Sequence, residues 1–543
     1  MNPISQAALL NDEGFIAQLA NKLGTSFNLE KADTISQATG LLWYDLSPVV
    51  QMLYPFKELI PLISKLPRVP GDGGNAYHWK RITAVNVNNV SIGVSEGNRG
   101  ARIAIEEQDQ LASYKTMGLE SSTTFEARLG AQNLRPEALG ISVQSTLRST
   151  MIGEEQALIL GDASTPLGLT PLPTLTAGGT GGNWGGTVTV YVICVALAGY
   201  GWLTYTPYNS VTGNGGVQGQ VTKLNADGSV DVFGGGSAQP STEANVASVT
   251  TAEVVTASVA PVTGAVAYAW YAGTASGAEK LVGITSANQI KITQPPASTS
   301  QPVTNLQVNG AYQDNSVNTL IPDGILSQIY GSVFGTGYST TMATNPQLPS
   351  VANSGDTLQV SSGGSLVYTK AAANTGLTIN GTNIEEFDIV LQAAYDQYKL
   401  GFDRILMSST DLINSTGTFF SAGAAAQFKI LFDAEATTGR IVAGRRITSY
   451  LNKFFNNTLD IEVHPFVPPG TVLFWSDRIP YELSGVGNIL EAKVRQDYYQ
   501  IEWPLRTRRY EYGVYVDEVF ACYFTPGFAV IRNVNPTTGT PSF

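Results

Sequence analysis

The spacing of apolar side chains changes several times along this chain. Arg135-Pro136 places a proline where a helix can start, and Leu139, Val143, Leu147 and Met151 then recur every fourth residue. Leu158 extends that side toward Gly161. The pattern predicts a helix of six or seven turns, about 37 Å long. A second helical period runs from Thr382 to Tyr398, with Ile384, Phe387, Leu391, Ala394 and Tyr398 on one face and Thr382 and Glu385 spaced as a capping box. Another helix is expected through Ala424 to Phe432. Elsewhere the period is two. Tyr77–Val87 alternates as a strand, then the glycine-rich GVSEGNRG and the charged RIAIEEQDQ lead into the β-rich segment Leu111–Leu129. Two such arms around a charged middle predict a long, protruding two-stranded loop, which is marginal alone and needs a neighbouring chain to cover it. Arg404–Ser408 reads as a buried strand, and Asp460–His464 and Thr471–Trp475 as strands flanking a V-P-P-G turn. Tyr510, Tyr512, Val514 and Val516 alternate near the end. Prolines at 55, 61, 67 and 70 favour an extended path for the first segment.

The middle of the chain differs from its flanks. Arginine is absent between Arg148 and Arg404, and ten of the seventeen arginines lie from Arg404 to Arg532. Between Gly181 and Gly310 there are three lysines, five acids and nineteen glycines. Turn-rich borders enclose this stretch, as expected of a domain inserted into a surface loop of a host. It reads as all-β. Val188–Leu203 is expected to form two buried strands, and Val221–Phe233 a hairpin through Asn225-Ala226-Asp227-Gly228. Asp227 and Asp231 lack the rest of a calcium-binding ladder, so the hairpin reading is preferred. Val266, Tyr268 and Trp270 alternate, and strands follow at Lys280–Ile284 and around Ile290 and Ile292. Short strands at this spacing indicate a β-sandwich.

Composition narrows the function. The 543 residues carry a net charge of −12 and only 14% charged side chains. An acidic balance argues against a nucleic-acid binder, whose affinity comes from lysine and arginine. Cys194 and Cys522 exclude a disulfide scaffold or a multi-thiolate metal site, and Cys522 reads as an inert buried thiol. His78 and His464 leave little for acid–base or metal chemistry; His78 reads as a polar strand residue rather than a ligand. No G-x-S-x-G, H-E-x-x-H or phosphate loop occurs, and Glu385–Glu386 are adjacent on a helix and face apart. No enzymatic activity and no cofactor or metal are expected. Val188–Leu203 is too short and too β-branched for a membrane span. The first twenty residues lack a basic n-region and are interrupted by Asp12 and Glu13, so the protein is expected to be made and kept in the cytosol.

The order of these parts resembles the major capsid proteins of tailed bacteriophages, the HK97-like fold. The residues that carry the resemblance are V-S-E-G in the long loop, the long helix ending at Gly161-Asp162, the run Asp460–Asp477 and the run Gly513–Ile531. The pattern A-Y-x-W-Y at Ala267–Tyr271 resembles immunoglobulin-like or fibronectin-type-III modules. The resemblance implies an α+β capsid fold with an inserted all-β sandwich: an N-terminal arm at 1–76, an E-loop at 77–130, a peripheral domain with its spine helix at 131–180, the sandwich at 181–310, an axial domain at 311–490 and a return to the peripheral domain at 491–543. It implies a virion protein assembled in the host cytoplasm into an icosahedral shell of hexamers and pentamers. Portal, scaffolding and decoration proteins would be its partners, and the shell would enclose double-stranded DNA without sequence-specific binding and without a membrane. The other reading is a non-capsid virion or surface adhesion protein whose sandwich binds a host or glycan ligand.

For a shell subunit the inter-subunit contact candidates are Glu96, Arg99 and Arg102 on the loop, then Arg440, Arg445, Arg446, Arg506, Arg508 and Arg509, whose guanidinium forks match carboxylates. Some capsid relatives cross-link an E-loop lysine to an asparagine, and Lys115 is the only lysine in Leu111–Leu129. The competing reading for Lys115 is an ordinary solvated or ion-paired side chain.

Overall fold

The computed structural model describes residues 57–71, 73–85, 93–100, 105–130, 138–331, 348–371, 376–380, 383–421, 447–479, 486–505 and 507–534. Two sheets and one long helix frame the body. The first sheet orders its strands Arg68–Pro70, Leu490–Glu502, Arg509–Cys522 and Lys115–Thr124, the first pair parallel and the rest antiparallel. The second has seven strands, in the order Thr357–Val360, Leu366–Thr369, Phe528–Arg532, Val472–Trp475, Arg404–Met407, Asn457–Val463 and Ser449–Asn452. Arg404–Met407 and Val472–Trp475 are buried in its middle, as continuous apolar runs require. The helix Glu385–Tyr398 lies against this sheet and buries Phe387, Leu391, Ala394 and Tyr398. One apolar cluster joins both sheets and both helices.

The long helix runs over Ala138–Leu160, 23 residues and about 35 Å. The apolar row that the spacing singles out is fully buried only toward its end, where Leu158 joins the core with Ala157, Ile159 and Leu160. Val143, Leu147 and Met151 are half-buried, whereas Thr146, Thr150, Glu154 and Glu155 are buried. The threonines satisfy their hydroxyls inside the helix, Thr146 donating to the Ser142 carbonyl and Thr150 to the Thr146 carbonyl. The glutamates find partners on other elements.

Three other expectations are corrected. The helix at Glu385 takes Ile384 as its N-cap with no side-chain cap, and Glu386 rather than Glu385 turns back to accept the Thr378 N–H. Val188–Leu203 is one strand, Val188–Leu197, followed by the short helix Gly199–Leu203, whose first residue sits against Leu160 with no room for a side chain. The second arm of the protruding ribbon is Ile105–Ser113, paired with Ala76–Val85; Lys115–Thr124 instead forms the edge of the four-stranded sheet against the long helix. The charged residues of Ile105–Ser113 suit a ribbon open to water, so alternation of apolar side chains marks the wrong segment. The helix expected at Ala424–Phe432 lies outside the described residues; the described one is Ser409–Ser421.

Within the arginine-free stretch, residues 174–292 build two facing sheets. One orders Ala244–Val249, Val188–Leu197, Ala267–Gly273 and Lys280–Thr285; the other orders Gln289–Ile292, Val254–Ser258 and Thr174–Gly178. Val190, Val192, Cys194, Tyr268, Trp270, Val255 and Ile290 pack between them. The opposite face of the first sheet is also covered, where Ile193, Val195, Ala269 and Tyr271 meet Val217, Val303 and Leu306. Its two inner strands are therefore apolar on both sides. Val221–Phe233 forms the expected hairpin, with Asn225 Nδ2 donating to Asp231. At its root the chain leaves and re-enters the body side by side. Gly324 N–H reaches the Gly161 carbonyl, Asn318 N–H the Asp162 carbonyl, and the Ala163 and Gly168 N–H groups the Asp323 and Asp314 carboxylates. A second joint is made by Asn533, whose Oδ1 accepts the Asn288 N–H, and by Arg532, which donates to the Val262 carbonyl.

Candidate assembly surface

The first described segment is bound to the body through the long helix. Arg68 stands on the short strand at the sheet edge, its Nη1 donating to Glu154 at 2.5 Å and its Nη2 to Glu518 at 3.2 Å, with Asp497 at 3.0 Å. The Tyr498 ring lies 4.7 Å below the guanidinium and its hydroxyl donates to Glu154. Burial opposes the charge on Arg68, but Glu154 and Glu518 outweigh it and hold the guanidinium protonated beyond its ordinary range. Burial, together with the charge of Glu154, drives the Glu518 carboxyl well above the usual carboxylate range, and Arg68 only partly offsets this. Two buried carboxyls sharing one cation are tolerated when one of them is neutral. Next along the helix, Glu155 accepts the Leu62 and Ile63 N–H groups at 2.9 and 2.7 Å and faces His464 Nε2 at 2.7 Å. His464 Nδ1 accepts the Phe466 N–H, so Nε2 is the nitrogen that carries the proton toward Glu155.

From the edge of this anchored body rises the ribbon Ala76–Val85 with Ile105–Ser113, about 30 Å along its strands. Its root is aromatic: Trp79 is buried against Ala521, Tyr77 stacks on Trp79, and the Tyr77 and Tyr523 hydroxyls are 3.1 Å apart. Beyond the root, His78, Lys80, Glu107, Asp109 and Leu111 are exposed. Gly93–Gly100 is exposed throughout, with a turn closed by Asn98 N–H to the Ser95 carbonyl. A second outward feature is the corner where the helix Phe125–Gly130 meets the turn into Arg509–Cys522. Phe125, Leu129, Trp503 and Leu505 are exposed there. Arg128 lies 4.7 Å over the Tyr510 ring, and Arg508 pairs with Glu126 at 2.6 Å.

No family model matches this chain, and no curated protein matches it. Among solved structures, the capsid of the empty GTA particle is 8% identical, with a TM-score of 0.37 over 92% of this chain and 97% of that one. The capsid of Myoviridae phage XM1 is 8% identical, with a TM-score of 0.39 over 93% and 100%. A chain of the phage G structure, which holds major capsid and decoration proteins, is 7% identical, with a TM-score of 0.32 over 94% and 99%. These neighbours are capsid structures.

The contact candidates divide by their surroundings. Glu96 and Arg99 are exposed on the ribbon turn. Arg102, Arg440, Arg445, Arg446 and Arg506 lie outside the described residues. Arg508 is exposed, pairs with Glu126 and lies over the Phe125 ring. Arg509 is exposed, opposite Thr124 at the sheet edge. Lys115 is half-buried opposite Glu518 in the four-stranded sheet and not on the ribbon. Cys194 and Cys522 are fully buried, and burial pushes the Cys194 thiol up. Among the described residues no three His, Cys, Asp or Glu side chains gather as a metal site, and no helix is long and apolar enough to cross a membrane. Sequence reasoning missed the apolar corner, because Phe125, Leu129, Trp503 and Leu505 are far apart in the chain and read as core residues one at a time. It also missed Arg68, Glu154 and Glu155, whose partners are set only by the fold.

Proposed function

We propose that this chain is a major capsid protein whose copies assemble into the icosahedral shell of a tailed phage, as hexamers and pentamers. The observation that carries this reading is the ribbon: two strands anchored by Trp79 at one end, along which His78, Lys80, Glu107, Asp109 and Leu111 are exposed. A two-stranded ribbon of this length is marginal in water and is stabilised when another copy covers it. Exposed ion pairs contribute only about 0–1 kcal/mol each, whereas fully burying a large apolar side chain contributes about 1.5–3 kcal/mol and covering one already half-buried about half of that. Leu111 on the ribbon and Phe125, Leu129, Trp503 and Leu505 at the corner therefore outweigh the arginines as sources of assembly energy. In this reading the subunit's role is structural, in the virion. The two-sheet insertion is an immunoglobulin-like module that projects from the outer surface, and the acidic wall encloses double-stranded DNA without gripping it. Portal, scaffolding and decoration proteins complete the particle assembled in the host cytoplasm.

Electron microscopy of the purified full-length chain tests the proposal. Closed icosahedral particles are expected under assembly conditions, and only monomers or fibres would overturn it.

A further inference from the structure

Lys370 is the one lysine among the described residues whose side chain is completely closed off from solvent. It follows the strand Leu366–Thr369 and lies between two carboxyls that are equally buried. Its Nζ is 2.5 Å from Glu386 Oε1 and 3.8 Å from Asp356 Oδ2. The two acids are held differently. Glu386, in the first turn of its helix, accepts the Thr378 N–H on both oxygens, 2.9 and 2.8 Å away. Asp356 receives the Ala371 N–H on Oδ1 at 2.9 Å and the Tyr368 hydroxyl on Oδ2 at 2.8 Å. Tyr368 is itself buried, and burial together with Asp356 raises its hydroxyl well above the ordinary tyrosine range. The Lys370 backbone is fixed from both sides, its N–H on the Arg532 carbonyl and its carbonyl accepting Asn533 Nδ2.

A charged trio without solvent is costly to keep charged, because desolvation opposes both ions of a pair. Proton transfer from the ammonium to Glu386 leaves a free amine beside a carboxyl whose oxygens already carry donors. That is the arrangement of a base, a nucleophile, an electrophile and an oxyanion site. We propose that Lys370 and Asp356 condense within the chain to an amide, with Glu386 as the general base. The Lys370 Nζ–Asp356 Cγ bond forms and the Cγ–Oδ2 bond breaks. The ammonium gives up two protons, which leave with Oδ2 as one water, and the amide keeps the third. Glu386 takes protons from Nζ, Tyr368 donates at Oδ2 and is reprotonated, and the Ala371 N–H holds the developing charge on Oδ1. No oxidant or external reactant is involved. Fixing both groups in one buried site supplies the effective concentration that such a condensation lacks in water, and the neutral amide replaces two buried charges. Attack needs a contact of about 3–3.5 Å, so the reaction requires Nζ to move from Glu386 toward Asp356 Cγ, starting from 3.8 Å to Oδ2.

Intact-mass measurement of the denatured full-length chain decides the matter, whether or not the chain forms shells. The expected mass is lower than the sequence mass by one water, and digestion should release a branched peptide joining the Lys370 and Asp356 segments. A wild-type chain at full sequence mass overturns the proposal. So does a water loss that persists in Lys370→Arg, since that would be an imide elsewhere. Glu386→Gln should restore the full mass while the seven-stranded sheet keeps its amide protection; a branched product in that variant overturns the role of Glu386.

Discussion

Glu155 is where the leading segment, the long helix and the body meet, and removing it has a computable consequence. In Glu155→Ala the Leu62 and Ile63 N–H groups and the His464 Nε2–H lose their acceptor. A buried donor left without a partner costs about 1–3 kcal/mol. Three such losses, softened by water entering the space vacated, give about 4 kcal/mol. The apolar contacts of Ile60, Leu62, Ile63 and Leu66 remain, so the effect should appear as easier local opening of that segment. Hydrogen exchange reads this directly. At tenfold per 1.4 kcal/mol, protection at Leu62 and Ile63 should fall roughly a thousandfold. Amides of Ala267–Gly273, in the other domain, serve as the internal reference. Glu155→Gln gives a sharper signature. Its single carbonyl can keep Leu62 and His464, which share Oε1, while Ile63 faces the new NH2 group. Ile63 should then lose about ten- to a hundredfold in protection, and Leu62 much less. Unchanged protection at both amides in Glu155→Ala would refute the claim that this carboxylate anchors the segment.

Three further outcomes are expected. Gly161→Ala should lower thermal stability by about 1–3 kcal/mol, because a Cβ there would lie 2.3 Å from the Pro322 carbonyl and 2.5 Å from that of Ala157; an unchanged melting temperature would count against this close passage. Trp270→Ala should cost about 3–5 kcal/mol in denaturant unfolding of the sandwich, since the indole is fully buried and its Nε1 donates to Thr285; a loss below about 1 kcal/mol would refute that packing. Burial, with the charge of Asp323 adding to it, raises Asp162 to about 7, although hydrogen bonds from Thr165 and Ser327 work the other way. The folded state therefore holds a proton that the unfolded chain has released above about pH 4, so this contribution to stability falls as pH rises from about 4 to 7 and is level above. Melting temperatures across pH 4–8 should show that decline in the wild type and a weaker one in Asp162→Asn; parallel profiles would contradict it.

Much of the architecture was legible because burial leaves a period. Phe387, Leu391, Ala394 and Tyr398 could be read as a helix face, and Val188–Leu197 as a strand too apolar to have a wet side. The long helix was legible in extent but not in orientation. Beside Leu158 and Ile159 its buried positions include threonines and glutamates, which look exposed until their partners are known, and Arg68 precedes Glu154 by 86 residues and Glu518 by 450. The ribbon was legible as a protrusion, yet its second arm was misplaced, since an uncovered strand has no apolar face to announce it. Candidate contacts were least legible. A sequence shows that Arg508 is charged but not that it lies beside Glu126 at an exposed corner.

The root of the insertion also has a mechanical meaning. Its two connecting segments are bonded to each other at Gly161–Gly324 and Asp162–Asn318, and the Asn288–Asn533 joint ties the far side to the strand-end of the seven-stranded sheet. A load on the two-sheet domain thus enters the body at two separate points instead of through one swivel. The domain can transmit torque, so a ligand that pulled or twisted it would strain the long helix ending at Leu160 rather than merely swing the domain on a tether.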